Sequence, residues 1–145
     1  MLSRVVERNV KHFPFLQIHF ATGVVTSPNY PGNYPNNLEK TQTIQVEQGL
    51  IISLQFTAFD IGWYSSCADD HLTITDGDGT TLMEKRCGSS LPAAIRSKSN
   101  IVKLLFITDG EYSDSGWSVS WSAVTPGKCQ QYSWVISPIL LQKAS

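Results

Sequence analysis

LIISLQFTAF (residues 50–59) is the stretch whose reading decides the fold. Leu50, Ile52, Leu54, Phe56 and Ala58 fall on one side of it, and Ser53, Gln55 and Thr57 on the other. Successive side chains of a β-strand point to opposite faces, so this period of two predicts a strand with one face on a core. HLTIT (71–75) repeats the pattern, with Leu72 and Ile74 inward and His71, Thr73 and Thr75 outward. Asp76-Gly77-Asp78-Gly79 then makes a tight reversal, because glycine accepts positive φ and aspartate can hydrogen-bond its own backbone. Cys67 and Cys87 bracket the unit. A bond between them would close a loop of about twenty residues, contributing roughly 3 kcal/mol by restricting the unfolded chain.

The same alternation extends outward in both directions. IVKLLFIT (101–108) carries Val102, Leu104 and Phe106 on one face and Ile101, Lys103, Leu105 and Ile107 on the other, which suits a strand inside a sheet. In GWSVSWSAV (116–124), Trp117, Val119, Trp121 and Ala123 alternate with serines, giving one buried face and one wet face. Shorter strands are expected at 43–46 and 81–86. The segment VVTSPNYPGNYPNN (24–37) is rich in prolines and turn formers, so it reads as an extended, hydrogen-bond-poor surface stretch anchored by Tyr30 and Tyr34. No helical period runs for ten residues. Short strands separated by turn signals predict an all-β, antiparallel β-sandwich. Its core is expected to join Leu54, Phe56, Leu72, Ile74, Val102, Leu104, Phe106, Trp117, Val119 and Trp121.

A chain of 145 residues and 16.1 kDa holds one such domain with tails. The formal charge of −1 hides a division: residues 22–124 hold 11 acids and 6 bases, while the tails hold one acid and five bases. A body at −5 is poor material for a nucleic-acid footprint, which needs a basic stripe. In the first twenty residues Arg4, Glu7, Arg8, Lys11 and His12 interrupt the apolar run that a secretory signal wants. There is no apolar span of membrane-crossing length and no Asn-x-Ser/Thr sequon. The third cysteine, Cys129, follows the last strand in a Pro-Gly-Lys-Cys linker, either as a free thiol or with a partner in a neighbouring module. Enzymatic chemistry finds no footing. No serine sits in a nucleophile elbow, His12 and His19 form no zinc pair, and Asp76 to Gly79 reads as a turn.

The run SPNYPGNYPNN, the pattern Cys67-x-x-Asp70-x-Leu72-x-Ile74-x-Asp76-Gly77, Cys87-Gly88 followed by Pro92, Phe106 with Asp109, and Gly116-Trp117 together resemble a CUB domain. The resemblance covers residues 22–124, with a tail at 1–21 and a linker and tail at 125–145. It implies an extracellular jelly-roll sandwich of two antiparallel sheets, a Cys67–Cys87 disulfide, and a non-catalytic module that binds proteins or glycans. The odd head and apolar tail add the reading of a fragment of a larger mosaic protease or receptor. A first disulfide usual in the family has no cysteines here, near Phe20-Ala21 or at Lys40, and Gln42 stands where a tryptophan is common.

Part of this family binds calcium through a glutamate and two aspartates. Asp70 and Asp109 match the aspartates, but the glutamate position, five residues before Cys67, is Gly62. The resemblance therefore implies a weakened Ca2+ site at Asp70 and Asp109, with Asp60, Asp69 and Asp114 as compensating ligands. The alternative is that Asp70 and Asp109 solvate loops or join a hydrogen-bond network with Tyr64. The implied partner is a protein presenting an exposed basic residue. Trp63 and Tyr64 are candidate ligand-binding aromatics, for a protein loop or for a stacked sugar, against a plain apolar cap over the disulfide.

Overall fold

The computed structural model describes residues 20–62 and 66–127; Trp63, Tyr64 and Cys129 lie outside them. Eight strands follow one another: β1 (Thr22–Thr26), β2 (Glu39–Gln45), β3 (Ile51–Asp60), β4 (His71–Asp76), β5 (Thr81–Arg86), β6 (Ile95–Arg96), β7 (Ile101–Ile107) and β8 (Gly116–Val124). They form two four-stranded sheets of order β1-β8-β3-β6 and β2-β7-β4-β5. Every pairing is antiparallel. The result is the expected all-β jelly-roll sandwich, with β7 inside its sheet. Among the described residues no helix is long and apolar enough to cross a membrane.

Leu54, Phe56, Leu72, Ile74, Val102, Leu104, Phe106, Trp117 and Val119 meet in one core together with Ile52 and Tyr34. Phe106 packs edge-on against both Tyr34 (5.1 Å) and Trp117 (6.0 Å), the arrangement that ring quadrupoles favour. Trp121, expected in the core, is only partly buried against it. Its indole lies over Gly23 of β1, where a Cβ would come within 2.7 Å of the ring. Glycine is what lets the edge strand approach.

Four local expectations need correction. The alternation of 50–59 breaks after Phe56, where β3 shifts register against β8 between Phe56 and Ala58. The extra residue of a bulge flips the parity, so Phe59 is buried instead of Ala58 and stacks edge-on against Phe56 at 5.5 Å. Thr57 at the bulge also donates to Ser118 Oγ at 3.0 Å, and Ser118 on the supposedly wet face is buried. Strand β2 begins at Glu39, earlier than its apolar residues suggest, because β7 offers ladder partners as far as Ile107. His71 keeps its outward parity but is 4% exposed, and burial first, then the nearby charge of Lys85, lowers its pKa.

The two sheets are also tied without the missing bridge. Gln42 Nε2 on β2 donates to the Thr26 carbonyl of β1 at 3.0 Å. The segment around Phe20 is held by the β1–β8 ladder, which continues to the Ala123 N–H on the Ala21 carbonyl at 2.8 Å.

Candidate functional site

Strand pairing sets one end of the sandwich. His71 of β4 lies opposite Ile107 of β7, so the residues just outside these strands, Asp70 and Asp109, come together. Asp70 is 6% exposed. A buried carboxylate is tolerable only when hydrogen-bonded, and both oxygens are engaged. The Tyr34 hydroxyl donates to Oδ2 at 2.7 Å, and the Asp109 N–H donates to Oδ1 at 2.7 Å. The Tyr34 phenol is pushed well above its ordinary range by burial first, then by its bond to Asp70 and that carboxylate's charge. Tyr34 is thus a tyrosine of this network; Tyr64, expected there, lies outside the described residues.

The loop after β7 is fastened by the Pro/Asn-rich segment. Asn33 Nδ2 donates to the Ser113 carbonyl (2.7 Å), Asn36 Nδ2 to the Gly110 carbonyl (3.1 Å), and the Tyr34 N–H to the Asp114 carbonyl (3.1 Å). The reading of that segment as hydrogen-bond-poor is overturned. Its prolines lack donors, but its asparagine amides supply them. Asp109 Oδ1 accepts the Glu111 N–H at 2.9 Å, closing the start of the loop on itself.

These elements enclose a cavity of about 470 Å³, walled by Asp69, Asp70, Asp109, Glu111 and Asp114, with Gly62, Tyr112 and the Cys67–Cys87 pair. The two cysteines are joined, with Cα atoms 5.4 Å apart, so the bridge secures the chain on that wall. Asp60 is outside the lining and accepts from Ser115 Oγ at 3.1 Å. It lies near enough to matter. The Asp114 carboxyl is raised above the ordinary range by burial first, then by the charges of Asp60 and Asp70, against a Gly62 N–H bond that lowers it. Gly62 has φ 45°, and a Cβ there would meet the Asp70 Cβ at an ordinary 3.5 Å. There is space for a side chain, on a backbone that disfavours one.

Glu111 and Tyr112 were missed among the sequence candidates. Tyr112 has φ 38° and is 78% exposed; its place in an acidic loop was the only signal available. The donor set is all oxygen and strongly anionic, the chemistry of a hard cation such as calcium. Among the described residues, no three His, Cys, Asp or Glu side chains converge closely enough to hold a metal ion as they stand.

Residues 16–121 match the family model described as the CUB domain. Cubilin of Homo sapiens is 38% identical over 106 residues, covering 71% of this chain and 3% of that protein. Blastula protease 10 of Paracentrotus lividus is 38% identical over 103 residues, 70% of this chain and 17% of that one. The chain thus spans a small part of these curated relatives. Among solved structures, the CUB1-EGF-CUB2 domain of human MASP-1/3 superposes with a TM-score of 0.66 at 35% identity, over 71% of this chain and 39% of that one. The MASP-1 CUB2 domain bound to Ca2+ gives 0.64 at 34%, over 69% and 90%.

Proposed function

Since the chain belongs to the CUB domain family, as an extracellular, non-catalytic module of protein interaction, we propose that its acidic end is where a partner protein's basic side chain docks, aided by calcium. One observation carries this reading: five carboxylates wall a single cavity, where Asp114, raised first by burial, also feels the charges of Asp60 and Asp70. Like charges held this close leave a negative potential that a bound cation would relieve. Calcium, when bound, supplies two positive charges and a preference for oxygen ligands. Asp70 and Asp109 would hold it, with Asp69 and Asp114 as further donors and Asp60 adding charge behind Asp114. The Ca2+-bound CUB2 domain among the similar structures supports this choice. The chain is read as one module of a larger extracellular protein.

With Gly62 in place of the family glutamate, affinity is expected to be weak, in the range of about 10⁻⁴–10⁻³ M found for extracellular modules. Titration calorimetry and calcium-dependent melting test it. Wild type should melt slightly higher in millimolar calcium, and Asp109→Ala should not respond. Gly62→Glu should respond more, from a lower starting point, since a left-handed non-glycine residue costs about 1–2 kcal/mol. No shift for wild type at several millimolar calcium would overturn the calcium part. Selective capture by a glycan array, with no salt-sensitive binding of basic peptides, would favour a sugar ligand instead.

A further inference from the structure

We propose that Tyr112 makes this end of the domain selective for arginine over lysine. This rests on the docking of a basic side chain proposed above. Tyr112 is the most exposed large hydrophobic residue among those described, yet it lines the same cavity as the carboxylates. A tyrosine left that open contributes little to the core, which lies under Tyr34 and Phe106.

The backbone that carries it is also held. The carbonyls of Gly110 and Ser113, on either side of the Glu111-Tyr112 pair, are each held by an asparagine amide of the segment before β2. The Glu111 N–H is held by Asp109. Within that frame Tyr112 takes φ 38°, a conformation that bulky residues rarely adopt. An aromatic ring whose backbone is ordered in advance loses little freedom when a ligand packs on it, which is how rigid aromatic anchors gain affinity.

Charge then selects the ligand class. The five wall carboxylates carry five negative charges when ionised, and one calcium ion would leave three. A second cation is still favoured at the mouth, beside Glu111 and Tyr112. Lysine offers a compact, strongly hydrated point charge that gains little from a ring face. Arginine offers a planar guanidinium that stacks on aromatic rings, sheds water more readily, and can bond carboxylates with two parallel N–H groups. A carboxylate next to a tyrosine ring suits the second geometry.

The experiment is a chemical-shift titration of the full chain, at fixed calcium and ionic strength. The probes are three otherwise identical uncharged peptides bearing one arginine, one lysine or one norleucine. Wild type should bind the arginine peptide roughly fivefold more tightly than the lysine peptide, within the range of a partly exposed cation–π contact. Tyr112→Ala should reduce that ratio to near one, mainly by weakening arginine, and Tyr112→Phe should keep it. Equal loss of both basic peptides in Tyr112→Ala, or no preference in wild type, would overturn the selectivity while leaving the docking site in place. If norleucine binds as well as either basic peptide, the docking reading fails and the selectivity falls with it.

Discussion

Strand β4 has a buried aspartate at each end, Asp70 just before it and Asp76 as its last residue, at 6% and 1% exposure. Their surroundings are opposite. Asp76 meets only neutral donors: the N–H groups of Gly77 (2.8 Å), Lys98 (2.6 Å) and Ser99 (3.2 Å), and the Ser99 hydroxyl. Burial by itself would raise its pKa, but these four bonds outweigh burial and hold it below the ordinary range. They clamp the β4–β5 turn to the β6–β7 connection. Asp70 has two donors, and beyond them stand Asp69, Asp109, Glu111 and Asp114 around an open cavity. Burial is common to both ends. What separates a structural clamp from a candidate site is whether negative charge is left uncompensated on an open face.

The largest expected effect tests the clamp. Asp76→Ala leaves four donors in two loops without their acceptor and should cost about 3–5 kcal/mol in chemical denaturation. Asp70→Ala strands only the Tyr34 hydroxyl and the Asp109 N–H, and it also relieves repulsion, so about 1–2 kcal/mol is expected without calcium. Equal losses at the two positions would erase the distinction between the ends.

Acid titration sharpens it further. The folded pKa of Asp76 is depressed, so its contribution is present above the unfolded value of 3.8 and is lost as pH falls through the folded value. The stability difference between wild type and Asp76→Asn should therefore shrink only below about pH 4. The folded pKa of Asp114 is raised, so ionised Asp114 opposes folding at neutral pH. As pH falls through that raised value towards 3.8, wild type should gain on Asp114→Asn. Taking differences removes His71, whose depressed pKa costs stability below its unfolded value of 6.5 in every variant.

The smallest expected effect is Asp114→Asn at neutral pH in the absence of divalent ions: a stabilisation of about 1 kcal/mol or less, on the scale of a single partly solvated charge contact. A clear destabilisation would mean that Asp114 has a compensating partner, and the acidic end would then resemble the clamp.

Alternation over residues 50–59, 71–75, 101–108 and 116–124 was enough to specify an antiparallel sandwich and more than half of the core, because a strand's period is local and every second residue reports on burial. The run at 27–37, the Cys67 to Gly77 pattern, Cys87-Gly88 with Pro92, Phe106 with Asp109 and Gly116-Trp117 together carried the family resemblance, and the resemblance implied the bridge. Tertiary structure alone decided the roles of the two aspartates. The bonds to Asp70 come from Tyr34 and Asp109, 36 and 39 positions away in the chain, and the clamp on Asp76 comes from residues 22 and 23 away. The same holds for the burial of His71, for the parity change after Phe56, and for Tyr112 lining one cavity with Asp69 and Asp70. A carboxylate's function depends on donors and charges within a few ångströms, and those distances are fixed only when strands distant in sequence come into register.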